Sequence, residues 1–455
     1  MNELPSSDLL YFDTLSLIMI GLVGFVGICV AAFSSRYLKG DSQYSNFFIM
    51  LALIILSVFV MVSANHIALF LLAWLTSNAL LVRLMVYKPN WREARNSGYL
   101  AAKSFGLGFI CLSAALGLLA FASGEQTIQG LLNTAHNPLI LGPALCLILI
   151  AAMTQSALWP CHRWLISSLN SPTPVSAIMH AGLVNGGGFL LARFAPLYFT
   201  MPDLLTIVFI VGFITAPLGT LWKLMQSDIK RMLACSTMGQ MGFMIAQCGM
   251  GLFPAAIAHL CWHGLFKAYL FLASGSAAQE QRLDLGYPPS AKEFAIGLIC
   301  GIFATFAFIV ASGKDLFAGD TTLILIALAF MAGTQFALSI VKSPIVKSPT
   351  LYFVPVAIAV TTVMGGLYGL SIYALESLLS TLDIAQPQTL NIFHMLAIGL
   401  LILTWLGMLF YRLFYQKADR EKEYPKWMIK SYVRMLNASQ PHPNTVTAHK
   451  NHYQV

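Results

Sequence analysis

Charge is what this chain has least of. Only 10% of its 455 residues are Asp, Glu, Lys or Arg, whereas a soluble globular domain carries about 25%. With 58% hydrophobic residues, that shortage excludes a water-soluble globule and leaves a polytopic membrane protein. Acidic groups are the scarcer sign, 18 against 26 Lys and Arg, for a net charge of +8. A basic balance can mark a nucleic-acid binder. Here most of the Lys and Arg stand in short gaps between apolar runs, which is the pattern of membrane topology, and no nucleic-acid partner is expected. The sequence also lacks a Gly-rich phosphate loop, a GxGxxG after a strand, and any Cys or His cluster with metal spacing. No catalytic site, cofactor or metal is therefore expected in the chain, which must draw on an ion gradient or on a partner's chemistry. The eight cysteines lie mostly inside apolar runs without paired spacing, so no disulfide framework is expected. The first apolar run lacks a charged leader and a small-residue cleavage site, and is expected to be a retained span.

What is present is a series of apolar runs. Counting stretches of about 20 residues predicts 13 spans, over 9–33, 46–64, 66–86, 101–122, 138–159, 174–195, 203–222, 232–250, 253–274, 293–312, 321–341, 350–375 and 389–414. Charge tests the count. The gaps after odd-numbered spans hold Arg36 and Lys39; Lys88, Arg92, Arg95 and Lys103; Arg163; Lys223, Lys230 and Arg231; Arg282 and Lys292; Lys342 and Lys347; Arg412 and Lys417. The gaps after even-numbered spans hold Glu125, Asp203, Asp320, Glu376 and Asp383, with Lys314 as the exception. Cytoplasmic loops attract Lys and Arg, so the N-terminus is predicted outside and the C-terminus in the cytoplasm. The tail from Gln416 is polar and basic; within it Tyr424–Leu436 fits an interfacial helix, and a disordered tail fits equally. Asn437-Ala-Ser439 matches a glycosylation sequon by pattern alone, made inert by its cytoplasmic placement.

Few residues in the spans are able to carry charge. His259, His263 and Lys267 stand four apart, which on an α-helix stacks them along one face at about 6 Å of rise. A Lys at membrane depth costs about 2.5–3.5 kcal/mol on insertion scales, so three basic groups in register point to passing or holding a charge. The bland reading is a snorkelling Lys267 with hydrogen-bonded interior histidines. The HxxxH spacing lacks the Glu of a zinc hydrolase. In the fifth span Pro160 follows Gln155-Ser-Ala-Leu-Trp159. A proline there frees backbone carbonyls and allows either a broken helix, the usual place of a transporter's ion site, or a helix that ends at the surface with Arg163. In the sixth span His180 and Asn185 lie among small residues, which by itself reads more as packing. Lys314-Asp315 forms either an acid–base gate at a span end or a solvated loop pair. Asp228-Ile-Lys-Arg231 reads as a turn, and Arg83 and Arg193 near span ends read as snorkelling charges.

These stretches together resemble the antiporter-like membrane subunits shared by respiratory complex I and multisubunit cation/proton antiporters. The resemblance rests on Ser156-Ala-Leu-Trp-Pro160 with Trp164, Pro172-Thr-Pro174 through His180-Ala181, and Asp228-Ile-Lys-Arg231. Ser236-Thr-Met-Gly-Gln240, the His259/His263/Lys267 series and Lys314-Asp315 continue it in order over about residues 60–320. It implies an all-α fold with two inverted five-helix repeats, each with one broken helix. The expected division is 1–45, a first helix; 46–202 and 203–345, the two repeats; 346–415, further helices; and 416–455, a cytoplasmic tail. Within the superfamily, Leu169 through Leu190 and Arg193-Phe-Ala-Pro196 resemble the DabB branch, membrane subunits of inorganic-carbon accumulation complexes. That likeness implies a bacterial inner-membrane location and a partner, a DabA-like cytoplasmic zinc protein related to β-carbonic anhydrases, with zinc expected in the partner. It implies that proton or sodium flow drives hydration of CO2 to bicarbonate. Two departures stand out: Leu75 where the superfamily usually has Glu, and Gln155 where it usually has Lys. The expected ion path is thus asymmetric. His259, His263, Lys267, Lys314 and Asp315 are its titratable groups, and Gln155 and His180 supply polar access.

Overall fold

The computed structural model describes residues 8–278, 289–342, 353–415 and 426–446, with backbone alone for Phe353 and 408–415. The described regular structure is helical. The long elements are α1 (Thr14–Tyr37), α2 (Tyr44–Ser63), α3 (Ile67–Met85), α4 (Arg92–Ser123), α5 (Pro138–Gln155), α6 (Thr173–Ala181), α7 (Gly186–Arg193) and α8 (Pro202–Leu224). They continue with α9 (Ile229–Gly249), α10 (Phe253–Leu272), α11 (Ala291–Ser312), α12 (Thr322–Val341), α13 (Phe353–Leu378), α14 (Ile392–Tyr415) and α15 (Lys426–Ala438). Local chemistry sets several boundaries. Asp13 caps α1 by accepting from the Ser16 N–H, and Asn137 caps α5 ahead of a proline at its first turn. Ser290 and Glu293 form a capping box at the start of α11.

Every predicted apolar run overlaps one of these helices, or in the sixth span two, but among the described residues eleven are long and apolar enough to cross a membrane. The two that fall short are α9 and α14. In α9 the reason is burial: from Leu233 to Gly249 nearly every residue is covered by neighbouring helices, so Thr237 and Gln247 need not be apolar toward lipid. In α14 the stretch with described side chains is simply shorter, Ile392–Gly407. Arg282, Lys347 and Lys417 of the charge alternation, and the start of the tail helix at Tyr424, lie outside the described residues; the helix itself runs Lys426–Ala438.

The chain forms two compact units. The first holds residues up to Gly249, His259–Ala278 and the stretch from Ser431; the second holds Met250–Ala258 and the described part of 279–430. In the first, α8 and α9 run antiparallel with their backbones nearly touching. A Cβ on Gly219 would lie 2.3 Å from the Gly239 nitrogen, and one on Gly249 would lie 2.2 Å from the Phe209 nitrogen. These glycines are a packing requirement. Gly219→Ala is expected to lower the stability of the detergent-solubilised protein by about 1–3 kcal/mol, read as a fall in melting temperature. Gly21→Ala, on α1 with nothing within 4 Å of the new methyl, is expected to be neutral or stabilising by about 0.5–1 kcal/mol. In the second unit α11 packs on α12 and α13 through Gly301, Gly365 and Gly369. The extended stretch near Ala385–Thr389 is pinned by bridges to Leu252 and Asp320.

Of the two alternatives left open for the fifth span, the structure shows a helix that ends, at Gln155 ahead of Pro160, followed by a partly buried connector with a short Arg163–Ile166 helix. The interruption falls in the sixth span instead, where α6 stops at Ala181 and a 3-10 turn, Leu183–Asn185, precedes α7. Gly182 sits at the break, with φ −114° and ψ −71°. A second broken helix was expected in the second repeat; among the described residues α8 to α12 each run unbroken.

Candidate functional site

Around the break in the sixth span, in the interior of the first unit, three carbonyls each accept from a side chain. Gln155 Nε2 donates to Leu183 O at 3.1 Å, Ser156 Oγ to Val184 O at 2.7 Å, and Asn185 Nδ2 to Ala181 O at 2.8 Å. Freed carbonyls in a membrane interior must be satisfied in this way. Gln155 is held at its other end by Asn78, which donates to its Oε1 at 3.0 Å. An amide bonded to a second amide therefore stands at Gln155, where the superfamily resemblance leads one to expect a Lys. Leu75, the other departure, is exposed on α3.

The break brings His180, near the end of α6, into a chain of polar contacts. Its Nδ1 lies 3.1 Å from Thr237 Oγ1 on α9, and Thr237 donates to Leu233 O at 3.0 Å. Lys267, only 1% exposed, donates to that same Leu233 carbonyl at 3.1 Å. A hydroxyl has one hydrogen, so while Thr237 gives it to Leu233 it accepts from His180, fixing the Nδ1–H tautomer. If it turns to His180, Lys267 is the side chain that still donates to that carbonyl. The His180 ring stacks on Phe271, one turn past Lys267, with centroids 4.3 Å apart. Gly264 lets α10 pass close to the freed end of α6: a Cβ there would lie 2.8 Å from Ala181 O.

Beyond Lys267 the row continues as the spacing predicts. His263 is buried and His259 half-buried, with nearly parallel rings 6.1 Å apart. The Nε2 of each is buried without a hydrogen-bond partner among the described residues. Thus Gln155, His180, His263 and Lys267 are inward-facing groups of one unit, with His259 at the far end of the row.

Other predicted residues found different partners. Lys314 and Asp315 belong to the second unit, and they do not pair with each other. Lys314 Nζ donates to Glu376 Oε2 at 2.6 Å and Oε1 at 2.8 Å, while Asp315 accepts from the Phe317 N–H at 2.9 Å. With side-chain exposures of 13% and 32% this pair is partly solvated. Glu376→Gln is expected to change stability by less than about 1 kcal/mol, measured by melting temperature against wild type. Arg193 does not snorkel: it is bonded to Asp13, Ser16 Oγ and the Val62 carbonyl. His162, in the connector after α5, packs against Trp222. Burial, aided by neighbouring Arg163, pushes its imidazole down to about 4, so it is neutral at physiological pH.

Thr237, Asn78 and Glu376 were not singled out from the sequence as site residues. The signal for the first two was available, as polar side chains within the runs of α9 and α3. Glu376 was visible only as one acid among several in the gaps.

Comparison with known proteins gives matches along most of the chain. The family model described as NADH:quinone oxidoreductase/Mrp antiporter, TM, matches residues 64–291, and that for NADH-ubiquinone oxidoreductase (complex I), chain 5 N-terminus, matches residues 2–48. A probable inorganic carbon transporter subunit DabB1 of Halothiobacillus neapolitanus is 38% identical over 287 residues, covering 61% of this chain and 51% of the relative. A probable inorganic carbon transporter subunit DabB of Bacillus anthracis is 34% identical, covering 67% and 61%. NADH-quinone oxidoreductase subunit L of Pseudomonas aeruginosa is 37% identical, covering 60% and 46%. The chain thus spans about half to three-fifths of the length of these relatives. In fold it is similar to a chain in the structure of the Mrp complex from Dietzia sp., with a TM-score of 0.63 at 23% identity, covering 94% of this chain and 53% of that one.

Proposed function

The chain belongs to the NADH:quinone oxidoreductase/Mrp antiporter transmembrane family, and from that premise we propose that it is the cation-conducting membrane subunit of an inorganic-carbon accumulation system. The observation that carries the conduction reading is Lys267. A lysine almost wholly removed from solvent, held by one shared backbone carbonyl and set in line with His263 and His259, has no compensating carboxylate in its described contacts. Such a group is poised to lose and regain its proton as its surroundings rehydrate. His263 and His259 are suited to carry a proton onward through water. On the other side of Lys267, a cavity of about 420 Å³ lined by Asp41, Tyr87, Lys88, Ser171, Pro172 and Lys230 offers polar access. Lys230 lies one helical turn from Leu233, whose carbonyl Lys267 uses.

The carbon-accumulation part of the reading is supported by the likeness to the DabB relatives. In it, proton or sodium flow through this chain drives a DabA-like cytoplasmic zinc protein that hydrates CO2 to bicarbonate, and all catalysis lies in that partner. The chain sits in the bacterial inner membrane with its N-terminus outside and C-terminus in the cytoplasm. Gln155, bonded to Asn78, and Leu75 favour this over a respiratory or antiporter subunit, because neither can ionise and they stand where the superfamily usually has Lys and Glu. The test is expression with the neighbouring gene in a strain lacking carbonic anhydrase. Growth in air, abolished by an uncoupler, is expected; no rescue, or rescue indifferent to the uncoupler, overturns the reading.

A further inference from the structure

Gln247 on α9 takes no part in the contacts described so far, yet it is 0% exposed, and among the described residues neither its Nε2 nor its Oε1 has a hydrogen-bond partner. A buried amide left wholly unpaired is costly, and buried polar groups are nearly always satisfied by protein or by ordered water. Its position gives the anomaly meaning. Leu233, Thr237, Met244 and Gln247 follow one another at helical intervals of four, seven and three residues, which places them on one face of α9. The first two hold Lys267 and His180, and Met244 fits against Gly188 of α7. Phe243, one turn before Gln247, meets the His259 ring edge-on with centroids 5.1 Å apart.

We propose that Gln247 is a further residue of the ion path, placed past His259 on the side away from Lys267. Its amide positions water: the Nε2–H2 group donates and Oε1 accepts, bridging from His259 toward the end of α9 that packs on Leu205 and Phe209 of α8. Gln247 carries no proton itself. The unpartnered Nε2 atoms of His259 and His263 belong to the same file of polar atoms in need of water. This rests on the relay reading above and extends it by one step.

Gln247→Leu separates a water-positioning role from a structural defect, because it removes both orphaned polar atoms at similar volume. The full chain is reconstituted in lipid vesicles, and proton and sodium uptake under an imposed potential are read by internal dyes for wild type, Gln247→Leu, Gln247→Asn and Lys267→Met. Gln247→Leu is expected to lose at least tenfold in flux with a melting temperature equal to or above wild type, and Gln247→Asn to recover part of that flux. Wild-type flux retained in Gln247→Leu overturns the proposal while leaving the relay intact if Lys267→Met is inactive. A lowered melting temperature also overturns it, since the amide would then be holding structure. Absence of flux in wild-type vesicles overturns the relay itself.

Discussion

Lys267→Met is expected to reduce ion flux and air-dependent growth at least tenfold while leaving the protein folded. Methionine nearly matches the volume of the lysine stem, so the packing along α10 is kept. What disappears is the ammonium and its bond to Leu233 O. A buried charge without a carboxylate partner does not stabilise a fold, so the melting temperature is expected to hold or rise. Lys267→Arg sharpens the result. Guanidinium keeps the charge and can reach a carbonyl, but it does not deprotonate in a protein. If Lys267 acts by giving up and regaining a proton, Arg fails as Met does; if a fixed positive charge is enough, Arg is active and the relay reading is wrong. Flux in vesicles and growth in air, each set beside the melting temperature, decide between the two.

How much of this was legible in the sequence depends on which partner each side chain uses. The row of His259, His263 and Lys267 was legible because a helix converts a spacing of four into one face. The group that receives Lys267 was not, because it is the Leu233 main-chain carbonyl, 34 residues away, and a backbone acceptor leaves no mark in composition. A helix break near Pro160 was one of two readings left open there, but the break lies at Gly182, where nearby carbonyls accept from Gln155, Ser156 and Asn185. α9 shows the limit of hydropathy. A helix enclosed by other helices answers to them, so its glycines and polar residues reflect contact with α8 and α10 rather than with lipid. Lys314 was legible as an exception to the charge pattern, but its carboxylate came from Glu376, 62 residues on, and not from adjacent Asp315.

Arg193 is the position where the sequence reading and the structure diverge most, and its replacement should have the largest effect on stability. At a span end it looked like a charge reaching for water. Instead, with side-chain exposures of 9% and 4%, it and Asp13 form an enclosed ion pair. Arg193 Nη2 also reaches Ser16 Oγ at 3.0 Å and Val62 O at 2.9 Å, tying the start of α1 and the end of α2 to α7. Removing one member of such a pair strands the other charge, at about 3–5 kcal/mol. Arg193→Leu is therefore expected to lower the melting temperature strongly, and Asp13→Ala at least as much, since it also removes the α1 cap, worth about 1 kcal/mol. The double variant should lose less than the sum of the two, because no unpaired charge remains; additive losses would show that the two groups are not coupled. The pH dependence gives an independent check. Burial pulls the Asp13 carboxyl upward, but Arg193 outweighs it, with help from Ser16, and holds it below its ordinary 3.8. A depressed carboxyl contributes stability that is present above its unfolded pKa and lost as pH falls through its folded one. In Arg193→Leu the upward pull of burial has no opposing guanidinium, so Asp13 should take up a proton more readily than in the unfolded chain. Its stability should then recover on acidification toward pH 4, where the wild type gains nothing; a deficit that stays constant from pH 7 to 4 would mean that Asp13 is not the stranded charge.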